Sequence, residues 1–402
     1  MSGKFTEEEI MEMVKKNEAR TATVMNTGNV TTSDVIDKTA TIRNLLVIGC
    51  GDGGSMIASE ISTQIKDCFT ICYNTSTRAM DRVHSNVNII PDAEDGSGKI
   101  RDYSKDVFKS GSYKILLGHV QSALEKRPDL AYVLVCTTAD GGTGSGVSPM
   151  IGKFVSDNVN IPVIMVGVYP SLSEDATAQY NAMTWQDEVI RTGLPYMIFD
   201  NEIGGNGNKI RVHGIINSAI ANIMKVISGD VFGDTNISMI DSMDMWMLLQ
   251  NTGKRIVIAL SDKKPTTGQT LDDYVLHMIK ECHQPVPVNT KGIGIFVKGP
   301  KDMISSLDTS MSGVREVYGD AVVQYSHIEE SDKVSIAIIM SGNSEPEERL
   351  YMMKSRYDDI TNSQKEDVSS VASILGTMSN PIGGIKRNKK ETIEPDLSAL
   401  DF

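Results

Sequence analysis

Two glycine-rich stretches carry the residues best suited to chemistry. One lies in "TTADGGTGSG", Thr137 to Gly146, where Asp140 is followed by Gly141, Gly142, Thr143, Gly144, Ser145 and Gly146. An apolar run, Leu130 to Cys136, precedes it and reads as a buried strand; a helix-like segment follows. Glycines at a helix start let backbone N–H groups approach an anion, so this turn suits a phosphate. Four glycines, a Thr and a Ser in seven residues exceed what a tight turn needs. No Lys follows them, so this is not a GxxxxGK[ST] loop. The other stretch, Gly49-Cys50-Gly51-Asp52-Gly53-Gly54, fits GxGxxG after a strand. Alone it is a weak dinucleotide signal, and a turn serving only chain geometry is its alternative. Where a dinucleotide fold usually places a ribose-binding acid, this chain has Tyr73-Asn74-Thr75-Ser76. No GxSxG or HExxH motif appears, and the six His residues show no metal-binding spacing.

These turns need strands and helices to hold them. From "NLLVIGCGDGGSMIASEIS" onward, strand-like runs alternate with helical segments: Leu45–Ile48, Phe69–Tyr73, Tyr132–Cys136, Val163–Val168 and Tyr196–Phe199. That rhythm predicts an α/β fold with a parallel sheet covered by helices on both faces. A long helix is expected from about Val212 to Ile227. A second alternating block runs from about Arg255 to Asn362 and includes "RIVIALS", "KGIGIFVKG", "AVVQYSHI" and "KVSIAIIMSG", then a charged helix near Glu345 to Ile360. A short amphipathic helix is expected near Glu7 to Glu18. The stretch after Ser379, with Lys386, Arg387, Lys389 and Lys390 before "IEPDLSALDF", reads as a tail outside any core.

Composition narrows the classes further. At 402 residues the chain has room for two or three domains. A net charge of −13 argues against a broad nucleic-acid-binding face, so no direct nucleic-acid contact is expected. No apolar run reaches membrane-spanning length and the N-terminal stretch lacks an apolar signal region, so no membrane association is expected. Cys50, Cys72 and Cys136 fall in or beside apolar runs and read as reduced thiols of a cytosolic protein.

The 140–146 turn resembles the GGGTG[ST]G signature of the tubulin/FtsZ superfamily, with Asp140 where the family usually has glycine. "VIGCGDGGSMIA" resembles the family's first nucleotide loop, "YNTSTRAM" its second, and "EDGSGKIR" the loop beside the terminal phosphate. Order and spacing hold from about Asn44 to Met340, and the loop details look closest to the plasmid and phage TubZ/PhuZ branch. The resemblance implies a Rossmann-type GTPase domain over 41–211, a long central helix and catalytic loop over 212–253, and a second, smaller α/β domain with a mixed sheet over 254–362. An N-terminal extension, 1–40, and a C-terminal helix and tail, 363–402, would flank them.

It also implies GTP and GDP as ligands, with magnesium held through phosphates and water rather than by a protein cage. Carried over position by position, the nucleotide would meet Gly51, Asp52, Gly53, Gly54, Ser55, Asn74, Gly96, Ser97, Gly98, Lys99, Asp140 and the 141–146 turn. Thr143 and Ser145 would add hydroxyl donors, and Gly141, Gly142, Gly144 and Gly146 would permit close approach. Asp52 and Asp140 would face either the cation shell or solvent. Glu174, four positions past Pro170, would face the ribose; Asn201 and Asn222 would contact the base, with Asn217 the alternative to Asn222. In "MIDSMDMW", Asp241 and Asp244 would position the attacking water on the next subunit's nucleotide, with helix capping as their other reading. The expected partner is a second copy, head to tail, in a filament that positions or segregates DNA or phage particles in a bacterial host's cytoplasm. A DNA-binding adaptor is a further possible partner. An NAD-dependent oxidoreductase and a nucleotide scaffold without hydrolysis are the competing classes.

Overall fold

The computed structural model describes residues 44–91, 96–203, 209–233, 235, 237–251, 254–321 and 323–377. The expected helix at 7–18, the tail beyond 377, Glu94 and Asp95 lie outside the described residues. By its internal contacts the chain forms two units, Met1–Asp358 and Asp359–Phe402, and the sheet and site described below belong to the first.

The strands are β1 Asn44–Cys50, β2 Phe69–Tyr73, β3 Val87–Ile89, β4 Leu130–Thr138, β5 Val163–Tyr169, β6 Tyr196–Asp200, β7 Arg255–Ser261, β8 Gly292–Gly299, β9 Val323–Glu330 and β10 Ser335–Asn343. They form one sheet in the order β3-β2-β1-β4-β5-β6-β7-β10-β8-β9. From β3 to β7 the pairing is parallel, with β6 and β7 joined at two positions, Tyr196↔Arg255 and Met197↔Ile256. β10 runs antiparallel to both β7 and β8, and β8 lies parallel to β9, so the sheet is mixed.

The continuous apolar runs follow from burial on both faces. In β1, Leu45 and Val47 enter one core, while Leu46, Ile48 and Cys50 enter the opposite one. Helices α1 (Gly51–Gln64) and α6 (Lys209–Ser228) cover the first face through Ile57, Ile61, Ile216 and Ile220. Helices α2 (Arg101–Val107), α3 (Tyr113–Lys126), α4 (Thr143–Asn158) and α5 (Ala176–Thr192) are on the chain's other path. Of these, α3, α4 and α5 cover the second face through Leu116, Val120, Val147, Ile151 and Trp185. The next helix, α7, is short (Ser242–Trp246), and α8 (Leu271–Glu281) packs Val275 and Ile279 into a third core with Ile293, Ile295, Ile336 and Ile338. The last helix, α9, spans Glu347–Thr377, longer than the charged helix expected from the sequence.

One topological feature places the site. β1 has β2 on one side and β4 on the other, so the chain's winding reverses between β1 and β4. Connections leave such neighbours toward opposite faces, which opens a crevice at their carboxyl ends. Cys50 pairs with Thr137 across that point, so both glycine stretches start from adjoining strand ends.

Candidate nucleotide site

The two glycine turns pack against each other, backbone to backbone. Gly51 has φ +69°, a left-handed conformation that glycine adopts without steric cost, and a Cβ there would lie 2.7 Å from Gly144 N. A Cβ at Gly144 would lie 2.3 Å from Thr137 Oγ1 and 2.5 Å from the Cys50 carbonyl oxygen. Gly142 and Gly146 are filled in the same way by Ser97 and Arg101, and Gly53 and Gly54 by Thr138 and Cys136. On the side where a Cβ would lie, protein atoms take the space. Among the four signature glycines, Gly141 alone has nothing within 4 Å of an added Cβ.

What converges here is a pair of helix starts. The residue before α1 is Cys50 and the one before α4 is Gly142, and neither start has a side-chain cap. The first turns of α1 and α4 therefore present backbone N–H groups to the same crevice, with the positive ends of both helix dipoles behind them. Such a pair favours a polyanion without any lysine.

Short polar contacts join the neighbouring loops. Thr75 Oγ1 and Thr143 Oγ1 are 2.7 Å apart, and Thr143 donates to Ser97 Oγ at 3.1 Å. Asn74 donates from Nδ2 to Asp52 Oδ1 at 3.1 Å, and Gly96 N donates to the Thr75 carbonyl at 3.2 Å. Gly98 and Lys99 complete this loop with positive φ, and the Lys99 ammonium pairs with Asp175 at 2.5 Å. Asp52 is exposed on the first turn of α1, and Asp140 and Gly141 are half-buried.

Two serines differ from expectation. Ser145 is fully buried; its hydroxyl donates to the Gly141 carbonyl and accepts from Arg101 Nε at 3.1 Å, so it braces the turn from within. Ser55 is likewise fully buried, beside the Cys72 thiol, whose pKa burial raises. Arg101 and Asn181 are contributors that the sequence reading left without a role. The buried Arg101 guanidinium also donates to the Ser145 carbonyl at 2.9 Å and to Glu188 at 2.6 Å. Asn181 Nδ2 lies 3.1 Å from both the Lys99 and Asp140 carbonyl oxygens and 3.3 Å from that of Gly141. Arg101 stood within "EDGSGKIR", but only the tertiary contact shows what its charge does.

Two further loops form the adjoining rim. Glu174 is half-buried in the turn between β5 and α5. Asn201 directly follows β6, its N–H bonded to the Tyr169 carbonyl at 3.2 Å. Its Oδ1 is buried without a hydrogen-bond partner, a costly state that a ligand's donor would relieve. Asn222 is not brought to this group. It is exposed, accepts from Lys225 at 3.1 Å, and lies one turn beyond Ser218, which donates to Glu60 at 3.3 Å. Thirteen residues past the start of α6, it is about 20 Å along the helix from the rim. Asn217 is half-buried and nearer the helix start.

Asp241 and Asp244 lie past the opposite end of α6. They cap α7 reciprocally: Asp244 N donates to Asp241 Oδ1 at 2.8 Å, and Asp241 N to Asp244 Oδ2 at 3.3 Å. Both remain half-buried. Burial raises the Asp244 pKa, as does the Asp241 charge, while hydrogen bonds from the Asp241 backbone and Tyr325 pull it down. Beside them, Ile240 N donates to His327 Nδ1 at 3.3 Å.

A mixed sheet whose parallel part carries two glycine turns at its switch point defines a doubly wound α/β protein. Residues 44–203 match the model described as Tubulin/FtsZ family, GTPase domain. The curated relative CetZ2 of Haloferax volcanii, a tubulin-like protein, is 23% identical over 209 residues, covering 50% of this chain and 54% of its own. The chain spans about half the length of the curated relatives it matches. The crystal structure of TubZ from Clostridium botulinum phage c-st superposes with a TM-score of 0.63 at 18% identity, covering 80% of this chain and 98% of that one. CetZ2 in a GTPγS-bound protofilament gives 0.64 at 17% identity, covering 80% and 99%. The fold is therefore the tubulin/FtsZ fold.

Proposed function

We propose that the chain binds GTP and GDP at the crevice between β1 and β4 and hydrolyses GTP only where two copies meet head to tail. The observation that carries this reading is the separation of the two half-sites. The glycine turns lie at the carboxyl ends of the parallel strands, where α6 begins. The acidic pair follows the end of that 20-residue helix, on the order of 30 Å away along its axis. One copy cannot bring its own Asp241 and Asp244 to its own turns, whereas the next copy in a row can present them.

In this reading the α1 and α4 starts hold the phosphates, Glu174 faces the sugar and Asn201 the base. Asp241 and Asp244 of the neighbour orient the attacking water, so catalysis is positioning with charge stabilisation. Asp52, Asp140 and the hydroxyls of Thr75, Ser97 and Thr143 are hard oxygen donors, which fits magnesium. Among the described residues no three His, Cys, Asp or Glu side chains could hold a metal together, so the ion would share its shell with phosphates and water. Magnesium would supply charge neutralisation at the phosphates. The dinucleotide-enzyme alternative gives way to the family match over 44–203.

Filaments built this way would move or position DNA or phage particles in a bacterial host, directly or through an adaptor. The similarity to a phage TubZ supports that cargo. The testing experiment is phosphate release from GTP against protein concentration, with pelleting in parallel. Release per chain should rise steeply above a threshold concentration that also yields pelletable polymer. A rate per chain independent of concentration would show a self-contained active site, and calorimetry with NAD bound more tightly than GTP would remove the nucleotide assignment. For the cargo, deletion in the host should lower inheritance of the plasmid or phage carrying the gene.

A further inference from the structure

The loop Pro170–Asp175, which carries Glu174, is held from two sides, and one of them is the first three turns of α9. Arg349 is buried and donates from Nε to Asp200 Oδ2 at 2.6 Å and from an Nη to Asp200 Oδ1 at 3.1 Å. The same Nη donates to the Pro170 carbonyl at 2.5 Å. Seven residues on, two turns along the same helix face, Arg356 Nε donates to the Leu172 carbonyl at 3.0 Å. Between them Met353 is fully buried in the core beneath, and the Tyr357 ring lies 5.9 Å from that of Tyr180 on α5. From the other side, Glu202 accepts from Ser171 Oγ and Leu172 N, both at 2.8 Å, and Gln179 Nε2 donates to the Ser171 carbonyl at 2.8 Å.

We propose that Arg349 and Arg356 are positioning residues that clamp the 170–175 loop, so that the start of α9 sets how tightly the sugar-and-base rim closes on a nucleotide. The proposal rests on the nucleotide reading above and adds a control element to it. Three of its features come from the geometry. Arg349 bridges two loops at once, because Asp200 directly precedes Asn201 and Pro170 opens the Glu174 turn. Its planar fork matches the Asp200 carboxylate through two nitrogens while one of them also reaches a carbonyl, an arrangement lysine cannot copy. Both arginines donate to backbone carbonyls of the same loop, so they fix its path whatever side chains it carries. No arginine of this pair touches the glycine turns. The clamp therefore acts first on the sugar and base, and the clamped loop meets the phosphate side at its end, through the exposed Asp175–Lys99 pair.

The test uses the full chain with Arg349→Lys and Arg356→Gln, and a fluorescent GDP whose release is followed after rapid mixing with excess unlabelled GDP. Arg356 is at the surface, so its variant should keep the wild-type melting temperature without nucleotide and release GDP about threefold faster. Arg349→Lys should release it about tenfold faster, the loss of one charge-assisted contact. The ratio of GTP to GDP affinity should stay at the wild-type value in both, because the phosphate turns are untouched; a general loosening of the fold would change it. Hydrogen exchange of the nucleotide-free chain should speed up at 170–175 and stay unchanged at 143–146. Wild-type release rates together with unchanged exchange in Arg356→Gln would overturn the clamp, even if Arg349→Lys failed to fold. If the wild-type chain bound no guanine nucleotide, the functional reading would fall, and exchange at 170–175 would still decide whether the arginines hold the loop.

Discussion

At the carboxyl ends of β1 and β4 the chain meets itself through backbone: Gly51 against Gly144, Gly54 against the Cys136 carbonyl, Ser145 bonded to Gly141. Beyond the far end of α6, Asp241 and Asp244 are held by each other's amides and by Tyr325, on a five-residue helix, with both carboxylates still half-exposed. The first region is finished in a single copy. Protein atoms fill the space beside most of its glycines, while the two helix starts keep uncapped N–H groups open to a ligand. The second holds two like charges close together on a short element, and one of them is kept partly dry. That is an arrangement that a second copy, with its cation and phosphates, would complete. The contrast suggests a division of labour between a preformed binding half and a catalytic half that functions at a contact.

The largest effect should come from breaking the catalytic half without loosening it. Asn caps a helix about as well as Asp, so Asp241→Asn should preserve the start of α7 while removing the charge. We expect GTP binding and thermal stability near wild type, and phosphate release lowered about a hundredfold, the scale of losing a positioning group. Asp241→Ala should show the same loss of turnover plus about 1 kcal/mol of lost stability from the missing cap. Polymer from either variant should outlast wild-type polymer after a GTP pulse. Normal turnover in the Asp241→Asn/Asp244→Asn double variant would place the water-orienting group elsewhere.

A smaller effect sharpens the binding half. Gly144→Ala forces a methyl to within 2.3 Å of Thr137 Oγ1 and 2.5 Å of the Cys50 carbonyl oxygen. Overpacking of this kind costs about 1–3 kcal/mol, so the melting temperature should fall in the absence of any nucleotide. At Gly141 nothing lies within 4 Å, so Gly141→Ala should melt with wild type and lose only affinity for GTP. If Gly141→Ala were instead as unstable as Gly144→Ala, the view that this position faces a ligand and not the protein would fail.

The two regions also differed in how far they could be read beforehand. The glycine turns were legible because the requirement is local: a strand, a turn with no room for Cβ, a helix start. The sequence shows these as Gly49 to Gly54 and Gly141 to Gly146, and the fold class followed from the alternating runs around them. Why each glycine is needed was not legible, since the neighbours filling Gly142 and Gly146 come from residues 97 and 101. Arg101 as a brace, Ser145 as an internal bond and the position of Asn222 on α6, away from the glycine turns, share that cause. Helical spacing names a face, while depth along α6 depends on its pairing with α1 through Ser218 and Glu60. The clamp by Arg349 was equally hidden, because Pro170, Asp200 and Arg349 are joined only by the fold.

The smallest expected effect is a pH dependence carried by Asp244 of the acidic pair. The Asp244 pKa is raised above its unfolded value, first by burial and then by the Asp241 charge. Between the unfolded and folded values the native chain holds more of this proton than the unfolded chain does. Stability from this group is therefore highest below the unfolded pKa and declines as pH rises through the folded one, above which the full cost of a half-dry carboxylate remains. Asp244→Asn carries no such titration, and its amide oxygen can still accept from the Asp241 N–H and from Tyr325. The melting temperature of Asp244→Asn relative to wild type should thus climb as pH is raised through the carboxylate range, then level off toward neutrality. Differential scanning calorimetry at matched ionic strength, on the nucleotide-free chain, reads both curves directly. A difference for Asp244→Asn that stays flat with pH, or falls, would mean that the carboxylate is already well solvated in one copy. The acidic half would then be as complete on its own as the glycine half, and the contrast between them would be lost.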